Sequence, residues 1–176
     1  LGQHEAALAE FEAARCLSRE VGDRTGEADA MMNIAIVANQ LGDDERAIAL
    51  GEQVLPLYEA LGDTYHMASV LNNRAYAHVC LARRLGEAGR AAESALHGRS
   101  AIALLERALP LAEREADPAF TVICMDTLSA ALRGLGEWAR ARDHLQEQLR
   151  LARRLPGRRL EAVTLGTLGE VLRRQG

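Results

Sequence analysis

The residues best suited to acid–base or metal chemistry are five histidines and three cysteines, and they are scattered along the chain. They are His4, His66, His78, His97, His144, Cys16, Cys80 and Cys124. His78 and Cys80 are two residues apart, so on a helix they lie on different faces and do not form a metal pair. The sequence contains no nucleophile elbow, glycine-rich phosphate loop or His-Glu-x-x-His pattern. We therefore expect no enzyme activity, no metal site and no cofactor.

The three cysteines lie in apolar helical stretches, and their odd number argues against a disulfide framework. We expect all three to be reduced thiols that fill the core of a cytoplasmic protein. No apolar run approaches the ~20 residues that a membrane-spanning helix needs. We therefore expect no contact with a membrane.

Charge is unevenly distributed along the 176 residues. The net charge of −4 divides into −7 for residues 1–88 and +3 for residues 89–176. The positive half is weakly charged and lacks the interleaved aromatic residues of a nucleic-acid surface. Nucleic-acid binding is therefore not expected.

One stretch, LGDDERAIALGEQVLPLYEALGD from Leu41 to Asp63, is repeated along the chain. Related segments begin at Leu1, Gly98 and Leu135. The same position in the four segments is held by Ala7, Ala47, Ala101 and Ala141, and the middle interval exceeds the two equal outer ones by fourteen. An alanine there lets a second helix approach closely, so we interpret the segments as packed helices of a repeat protein.

A second family of segments alternates with the first and begins at Glu27, His66, Ala119 and Leu160. In these segments Asn33, Asn73, Thr127 and Thr167 align at the same intervals. Apolar residues at i, i+3, i+4 and i+7 predict helices with one buried stripe. Gly-Asp pairs such as Gly62-Asp63 can end one helix and cap the next. The sequence therefore predicts about eight antiparallel helices.

The fourteen additional residues of the middle interval fall within residues 83–98, RRLGEAGRAAESALHG. Divided as about seven on each side, they would lengthen two adjacent helices by roughly two turns each. We predict an insertion that extends one helical hairpin, with its tip near Gly86 to Gly89. A disordered loop is the alternative.

The turn segments from Leu41 to Ala47 and from Leu135 to Ala141 resemble the second helix of tetratricopeptide repeats, and Asn33 to Ala35 and Thr167 to Gly169 resemble the centre of the first. The resemblance covers essentially the whole chain. It implies an all-α fold, a right-handed α-α superhelix of about eight helices, as one domain over residues 1–176. The forty-residue period from Ala7 to Ala47 is similar to a long-helix variant of this family found in bacterial regulators. Because the chain starts within a repeat, we expect a fragment of a longer protein.

In this family the first helix of each pair lines a concave groove. Carrying that surface over by register predicts a partner-binding groove formed by Asp29, Met32, Asn33, Ile36, Asn39, Ser69, Asn72, Asn73, Tyr76, Asp126, Thr127, Arg133, Glu170 and Arg173. The same rows include Gln40, Val79, Cys80, Ile123, Ala130, Val163, Thr167 and Arg174.

The asparagines are the most informative of these residues, because asparagine is a poor helix former. Asn33, Asn72 and Asn73 could exchange hydrogen bonds with the backbone of a bound peptide. Alternatively, Asn33 and Asn73 cap a neighbouring turn within the fold. Family members that bind chaperone tails clamp a terminal carboxylate with lysine and asparagine, but this chain has no lysine, so that clamp is not matched.

The resemblance implies a non-catalytic protein–protein interaction or scaffold module, the sensor or regulatory segment of a larger bacterial signalling or transcription-regulatory protein. A receptor for a small molecule or a short signalling peptide, which changes the pitch of the superhelix, is the alternative. The last helix, Val163 to Arg174, leaves an apolar face without a partner in the repeat pattern, and a homodimer through this face is a further hypothesis.

Overall fold

A computed structural model describes residues 2–175 and consists of eight α-helices joined by short turns. The prediction of an all-α solenoid of about eight antiparallel helices is confirmed. The helices are α1 (Gly2–Val21), α2 (Arg24–Leu41), α3 (Asp44–Leu61), α4 (Thr64–Glu87), α5 (Ala91–Arg114), α6 (Pro118–Gly134), α7 (Trp138–Ala152) and α8 (Arg159–Gln175).

The turns of the first half of the chain are evenly spaced. Asp23, Asp43 and Asp63 each precede a helix, and each side chain accepts a hydrogen bond from the backbone N–H three residues later. The glycine before each aspartate has a positive φ of 69° to 80°, which an amino acid with a side chain rarely adopts. Each Gly-Asp pair therefore ends one helix and begins the next within two residues.

The spacing of the turns lengthens in the middle of the chain. Asp63, Arg90 and Asp117 precede α4, α5 and α6, and each interval between them is seven residues longer than the interval from Asp43 to Asp63. Seven residues make about two helical turns, so the buried stripe keeps its direction. Both α4 and α5 have 24 residues.

The turn between these two long helices, residues 88–90, includes Gly89 at φ 75°. Most of residues 83–98 is helical, as predicted for an extended hairpin and unlike the alternative of a disordered loop. That these residues are an insertion stays a prediction.

The helices form two layers. The even-numbered helices contact their neighbours in sequence, and in addition α2 contacts α4, α4 contacts α6 and α6 contacts α8. Within residues 2–175, the backbones of the odd-numbered helices lie close only to their neighbours in sequence, and the ion pairs Arg46–Glu12 and Arg107–Glu59 link successive odd-numbered helices through long side chains. Helices that approach one another more closely form the inner side of a curved stack, so the even-numbered helices form the inner layer and the odd-numbered helices the outer layer.

Small residues hold the two layers together. Ala47, Ala101 and Ala141 are 2 %, 0 % and 0 % exposed, as expected for positions where an inner and an outer helix pack closely. The core is otherwise mostly aliphatic, with Ile34, Leu71, Leu105, Leu132 and Leu145 fully buried. Three of the four alanine positions identified from the sequence are therefore packing positions, and Ala7 is half-buried.

The cysteines do not all contribute to this core. Cys124 is buried, Cys80 is half-buried and Cys16 is exposed. The prediction that all three fill the core is wrong for Cys16, because α1 packs closely against α2, reaches α3 through the Glu12–Arg46 ion pair, and contains no buried residue. Burial raises the pKa of the Cys124 thiol to about 12, so this thiol stays neutral in the core.

The long hairpin contains a pair of histidines that face each other. Nδ1 of His78 on α4 lies 2.8 Å from Nδ1 of His97 on α5, so one ring nitrogen donates and the other accepts. Burial, the imidazole of His97 and the guanidinium of Arg74 lower the pKa of His78 to about 4. Glu45, Arg90 and Glu93 line the surface cleft beside the two rings.

Gly51 is a site where one added methyl group should cost stability. A Cβ at this position would overlap Cγ of Arg74, whose side chain crosses Gly51 to reach Glu52. We expect Gly51→Ala to destabilise the chain by about 1–3 kcal/mol in urea unfolding, despite the better helix propensity of alanine. Gly166→Ala is the matched control, since no atom lies within 4 Å of its Cβ position, and it should stabilise by about 1 kcal/mol. Equal effects of the two substitutions would contradict this packing.

The His78 pair should make the fold sensitive to acid. The unfolded chain binds a proton at His78 near pH 6.5, whereas the folded chain binds it near pH 4. Stability is therefore present above pH 6.5 and falls as the pH drops from 6.5 to 4, by up to about 3 kcal/mol. Thermal unfolding at pH 7 and pH 5 measures this loss. It should shrink in His78→Leu, which copies the buried leucine at the equivalent position 132, and persist in His4→Gln. An unchanged loss in His78→Leu would show that other groups cause it.

Candidate partner-binding groove

Three of the predicted groove residues meet at one pocket on the inner layer. Tyr76 of α4, Arg133 of α6 and Glu170 of α8 line a cavity of about 520 Å³. Val79, Cys80 and Ala130 from the same predicted rows also line it. Its volume lies within the range of about 300–1,000 Å³ typical of ligand-binding clefts. We call this cavity the inner pocket.

The inner pocket lies at a step between two hairpins of different length. Helices α4 and α5 have 24 residues each, but α6 and α7 have only 17 and 15. One wall is formed by the extended ends of the long hairpin, including Arg83 and Ser94. The other wall is formed by Leu135, in the turn of the shorter hairpin, and by Trp138 at the start of α7. The pocket thus depends on the additional length of the middle hairpin.

The charged side chains that line the inner pocket are Arg83, Arg133 and Glu170. Nη1 of Arg133 donates to Oε2 of Glu170 at 2.9 Å and links α6 to α8. Within residues 2–175, Arg83 makes no ion pair. The pocket therefore carries a net positive charge of one.

The remainder of the inner pocket is apolar or neutral. Tyr76 is 50 % exposed, and burial raises the pKa of the Cys80 thiol one turn further along α4. The proximity of Cys80 in turn raises the pKa of Tyr76, so both groups are protonated at neutral pH. At the rim, the guanidinium of Arg174 lies 5.8 Å from the ring centroid of Trp138, a cation–π distance.

The predicted cluster of amides does not form an open site. Met32, Asn39 and Asn73 line a void of only about 10 Å³, too small for more than about one water molecule. Nδ2 of Asn39 donates to the backbone carbonyl of Asn73 at 3.4 Å. Among residues 2–175 the side chains of Asn33 and Asn73 make no hydrogen bond to a turn, so the alternative capping role is not seen either.

Two predicted groove residues are buried. Asn72 and Thr127 are 6 % and 7 % exposed, and the hydroxyl of Thr127 donates to the carbonyl of Ile123 in its own helix. Their assignment to an accessible groove is therefore wrong. For Asn72 the reason is helix geometry, because one residue along a helix changes the direction of the side chain by about 100°.

The remaining predicted residues lie on the inner layer but outside the inner pocket. Oδ1 of Asp29 accepts a 2.6 Å hydrogen bond from the hydroxyl of Tyr58, and Oδ1 of Asp126 accepts one of 3.4 Å from Nε2 of Gln148. These two carboxylates thus tie an inner helix to the outer helix that follows it. Asn33, Ile36 and Ser69 are half-buried, and Arg173 is exposed.

Sequence reasoning missed the residues of the two walls, namely Arg83, Ser94, Gly98, Leu135 and Trp138. A signal existed for Arg83, because residues 76, 79, 80 and 83 follow the spacing of one helix face. The predicted groove residues on α4 end at Cys80, shortly before the predicted insertion of residues 83–98 begins. The other four residues come from two outer helices, α5 and α7, and the turn before α7, which the family resemblance does not assign to the groove.

Metal ligands and membrane-spanning helices are two other features that would point to a function. In the described part of the chain, no group of three or more His, Cys, Asp and Glu residues is arranged to hold a metal ion. Among residues 2–175, no helix is both long enough and apolar enough to cross a membrane.

The chain is similar to known proteins at the level of its repeats. The tetratricopeptide repeat family model matches residues 1–60 and 121–176, which together make up more than half of the chain. A de novo designed helical repeat protein has a similar structure, with a TM-score of 0.54 and 16 % sequence identity over 98 % of this chain and 90 % of that one. No curated protein sequence matches this chain. The designed protein supports the helical repeat fold, and the family match shows that the chain belongs to the tetratricopeptide repeat family.

Proposed function

We propose that this chain is a non-catalytic interaction module that binds an extended segment of a partner protein across α4, α6 and α8. Repeats of this family generally mediate protein–protein interaction or scaffolding. The observation that carries the proposal is the inner pocket, where side chains from three successive inner helices converge. A segment that crosses all three helices would contact Tyr76, Arg133 and Glu170 together.

The lining of the inner pocket favours a protein segment over a small apolar molecule. Small-molecule sites are mostly apolar, with few polar groups. Here Arg83, Arg133 and Glu170 lie on three different helices, α4, α6 and α8. This arrangement suits a partner that presents several groups along its length. The half-exposed ring of Tyr76 supplies an aromatic anchor of the kind that contributes strongly to protein interfaces.

The proposal includes a setting for the module. We infer that it is the sensor or regulatory segment of a larger cytoplasmic signalling or transcription-regulatory protein in a bacterium. The support is the even spacing of Asp23, Asp43 and Asp63, which precede α2, α3 and α4. Two helices with their turns thus make up the forty-residue repeat of the long-helix variant that the sequence resembles.

The proposal includes a second binding surface, which lies on α8 and would bind a second copy of the chain. Four positions that repeat in register are buried in the three earlier inner helices and exposed in α8. The buried sets are Ala28, Met31, Ala35 and Ala38; Ala68, Leu71, Ala75 and His78; and Val122, Met125, Ser129 and Leu132. The exposed set is Ala162, Leu165, Gly169 and Leu172. We call this set the α8 face.

Charge favours α1 of the second copy as the partner of the α8 face. Helix α1 has no buried residue, and its Leu17 and Val21 are 62 % and 70 % exposed. It carries four glutamates and two arginines, whereas α8 carries three arginines and two glutamates. Within residues 2–175, α1 is an outer-type helix that packs on one inner helix, α2, and α8 is an inner-type helix that packs on one outer helix, α7. Each would gain a second neighbour of the other type in this pairing.

Binding at the inner pocket is tested with peptides selected from a random display library against the chain. Selected peptides should bind Tyr76→Ala about tenfold more weakly than the unchanged chain in fluorescence anisotropy, because the aromatic anchor is lost. Tyr65→Ala is the matched control, since Tyr65 is also on α4 and is 40 % exposed but lies outside the inner pocket. Peptides that bind both variants equally well would exclude the inner pocket as the binding site.

Self-association is tested by light scattering during size exclusion over a range of concentrations. We expect concentration-dependent assembly that is lost in Leu165→Glu/Leu172→Glu, because two charges would be buried against an apolar surface. Leu17→Glu/Val21→Glu should have the same effect if α1 is the partner surface. Leu96→Glu, at a residue that is 57 % exposed on α5, should assemble normally.

The two double variants separate the alternatives. Assembly that survives changes in α1 but not in α8 would indicate a symmetric pair of α8 faces. A monomer at every concentration would exclude the second copy as an occupant of the α8 face.

A further inference from the structure

We propose that His78 of α4 and His97 of α5 bind a divalent transition-metal ion between them, of the Cu²⁺ or Ni²⁺ class, and that this ion cross-links the long hairpin. The two Nδ1 atoms are 2.8 Å apart. Within residues 2–175, these are the only two of the five histidines whose rings pair with each other. The inference goes beyond the proposed function, because neither ring lines the inner pocket.

The two ligands come from different helices. Spacing within one helix excludes a metal pair of His78 and Cys80, but it contains no information about a ligand on the next helix. The structure brings His78 and His97 together from the adjacent helices α4 and α5, although 19 positions separate them in sequence. A bound ion would therefore join the two long helices directly.

The distance between the two nitrogens selects the class of metal. An imidazole nitrogen lies about 2.0–2.1 Å from a bound metal ion such as zinc. Two such bonds at a right angle place the nitrogens about 2.8–3.0 Å apart, whereas the tetrahedral angle of zinc sites places them about 3.3 Å apart. The observed 2.8 Å matches the right angle, which is the geometry of square-planar and tetragonal Cu²⁺ and Ni²⁺ sites.

The ion would replace the proton that the two rings share. One Nδ1 donates to the other, the ring centroids are 5.0 Å apart, and the ring planes are inclined by 33°. On binding, each ring turns toward the surface cleft beside it, so that both Nδ1 lone pairs meet at one ion. The ring that was the donor then carries its proton on Nε2. Two neutral imidazoles thus bind the ion, and no net proton is released.

The surface cleft beside the rings provides the remaining positions around the ion. It has a volume of about 270 Å³, and its charged lining residues are Glu45, Arg90 and Glu93. Two glutamates against one arginine give this lining a net negative charge, which favours a cation. Glu93 accepts from Arg90 at 2.6 Å, and Glu45 is paired with Arg84 at 3.3 Å. The two carboxylates therefore contribute charge, and water completes the shell of the ion.

One further cation, Arg74, lies close enough to act on His78. Its Nη2 is 2.8 Å from Oε1 of Glu52. This ion pair neutralises the guanidinium, so the repulsion between Arg74 and a bound metal ion is reduced.

The test is isothermal titration of the tag-free chain with Ni²⁺ at neutral pH. We expect saturable binding that is at least tenfold weaker in His78→Gln and in His97→Gln, because each variant keeps a single imidazole. His4→Gln and His144→Gln are the matched controls, since within residues 2–175 neither ring pairs with another histidine. Both control variants should bind Ni²⁺ as tightly as the unchanged chain.

Electron paramagnetic resonance with Cu²⁺ identifies the ligands in the unchanged chain and does not depend on the folding of a variant. The spectrum should show splitting by two imidazole nitrogens, and by one in His97→Gln. Ni²⁺ should also raise the Tm of the unchanged chain and leave that of His97→Gln unaltered. A one-nitrogen spectrum of the unchanged chain, equal Ni²⁺ affinities of His97→Gln and His144→Gln, or tighter binding of Zn²⁺ than of Ni²⁺ would overturn the inference.

Discussion

The structure depends on one constraint, which is that no single helix of this chain can bury its apolar stripe alone. Each inner helix packs against its neighbours in sequence and against the next inner helix. The close approach at Ala47, Ala101 and Ala141 makes this packing dense without many aromatic residues. The Gly-Asp turns then fix where each helix ends, because the positive φ of the glycine and the cap by the aspartate occur at adjacent residues.

The inner pocket follows from a departure from this regular packing. The turns that bound α4 and α5 are seven residues further apart than Asp43 and Asp63, which preserves the direction of the buried stripe, since seven residues are close to two full turns. The added length projects beyond the ends of α6 and α7 and creates the step between Arg83 and Trp138. The same middle region is the part of the chain that the family model does not match. The feature that gives this chain a defined pocket is thus the feature that distinguishes it from a uniform repeat.

The fold was predictable from the sequence because its signals are local and repeated. Gly62-Asp63 indicates where one helix ends and the next begins, and the alanines in register with Ala47 indicate where helices pack. The site was less predictable because it depends on direction and on unequal lengths. Asn72 was predicted in the groove beside Asn73, but one residue along the helix turns its side chain into the core. Cys16 was predicted to be buried, but no second inner helix covers α1 within residues 2–175. Trp138 lines the pocket from the start of the outer helix α7, just after a turn. The residue spacing along the inner helices could not predict this contribution.

Polar groups at the inner layer divide into those that serve the fold and those that remain available. Asp29 and Asp126 accept hydrogen bonds from Tyr58 and Gln148, so their carboxylates are already engaged by outer helices. Arg133 differs because its guanidinium is paired with Glu170 of another inner helix and lines the inner pocket. Where the stacking is regular, polar residues of the inner layer are used to hold adjacent helices in register. The inner pocket lies instead where the stacking is interrupted, at the step beside the long hairpin.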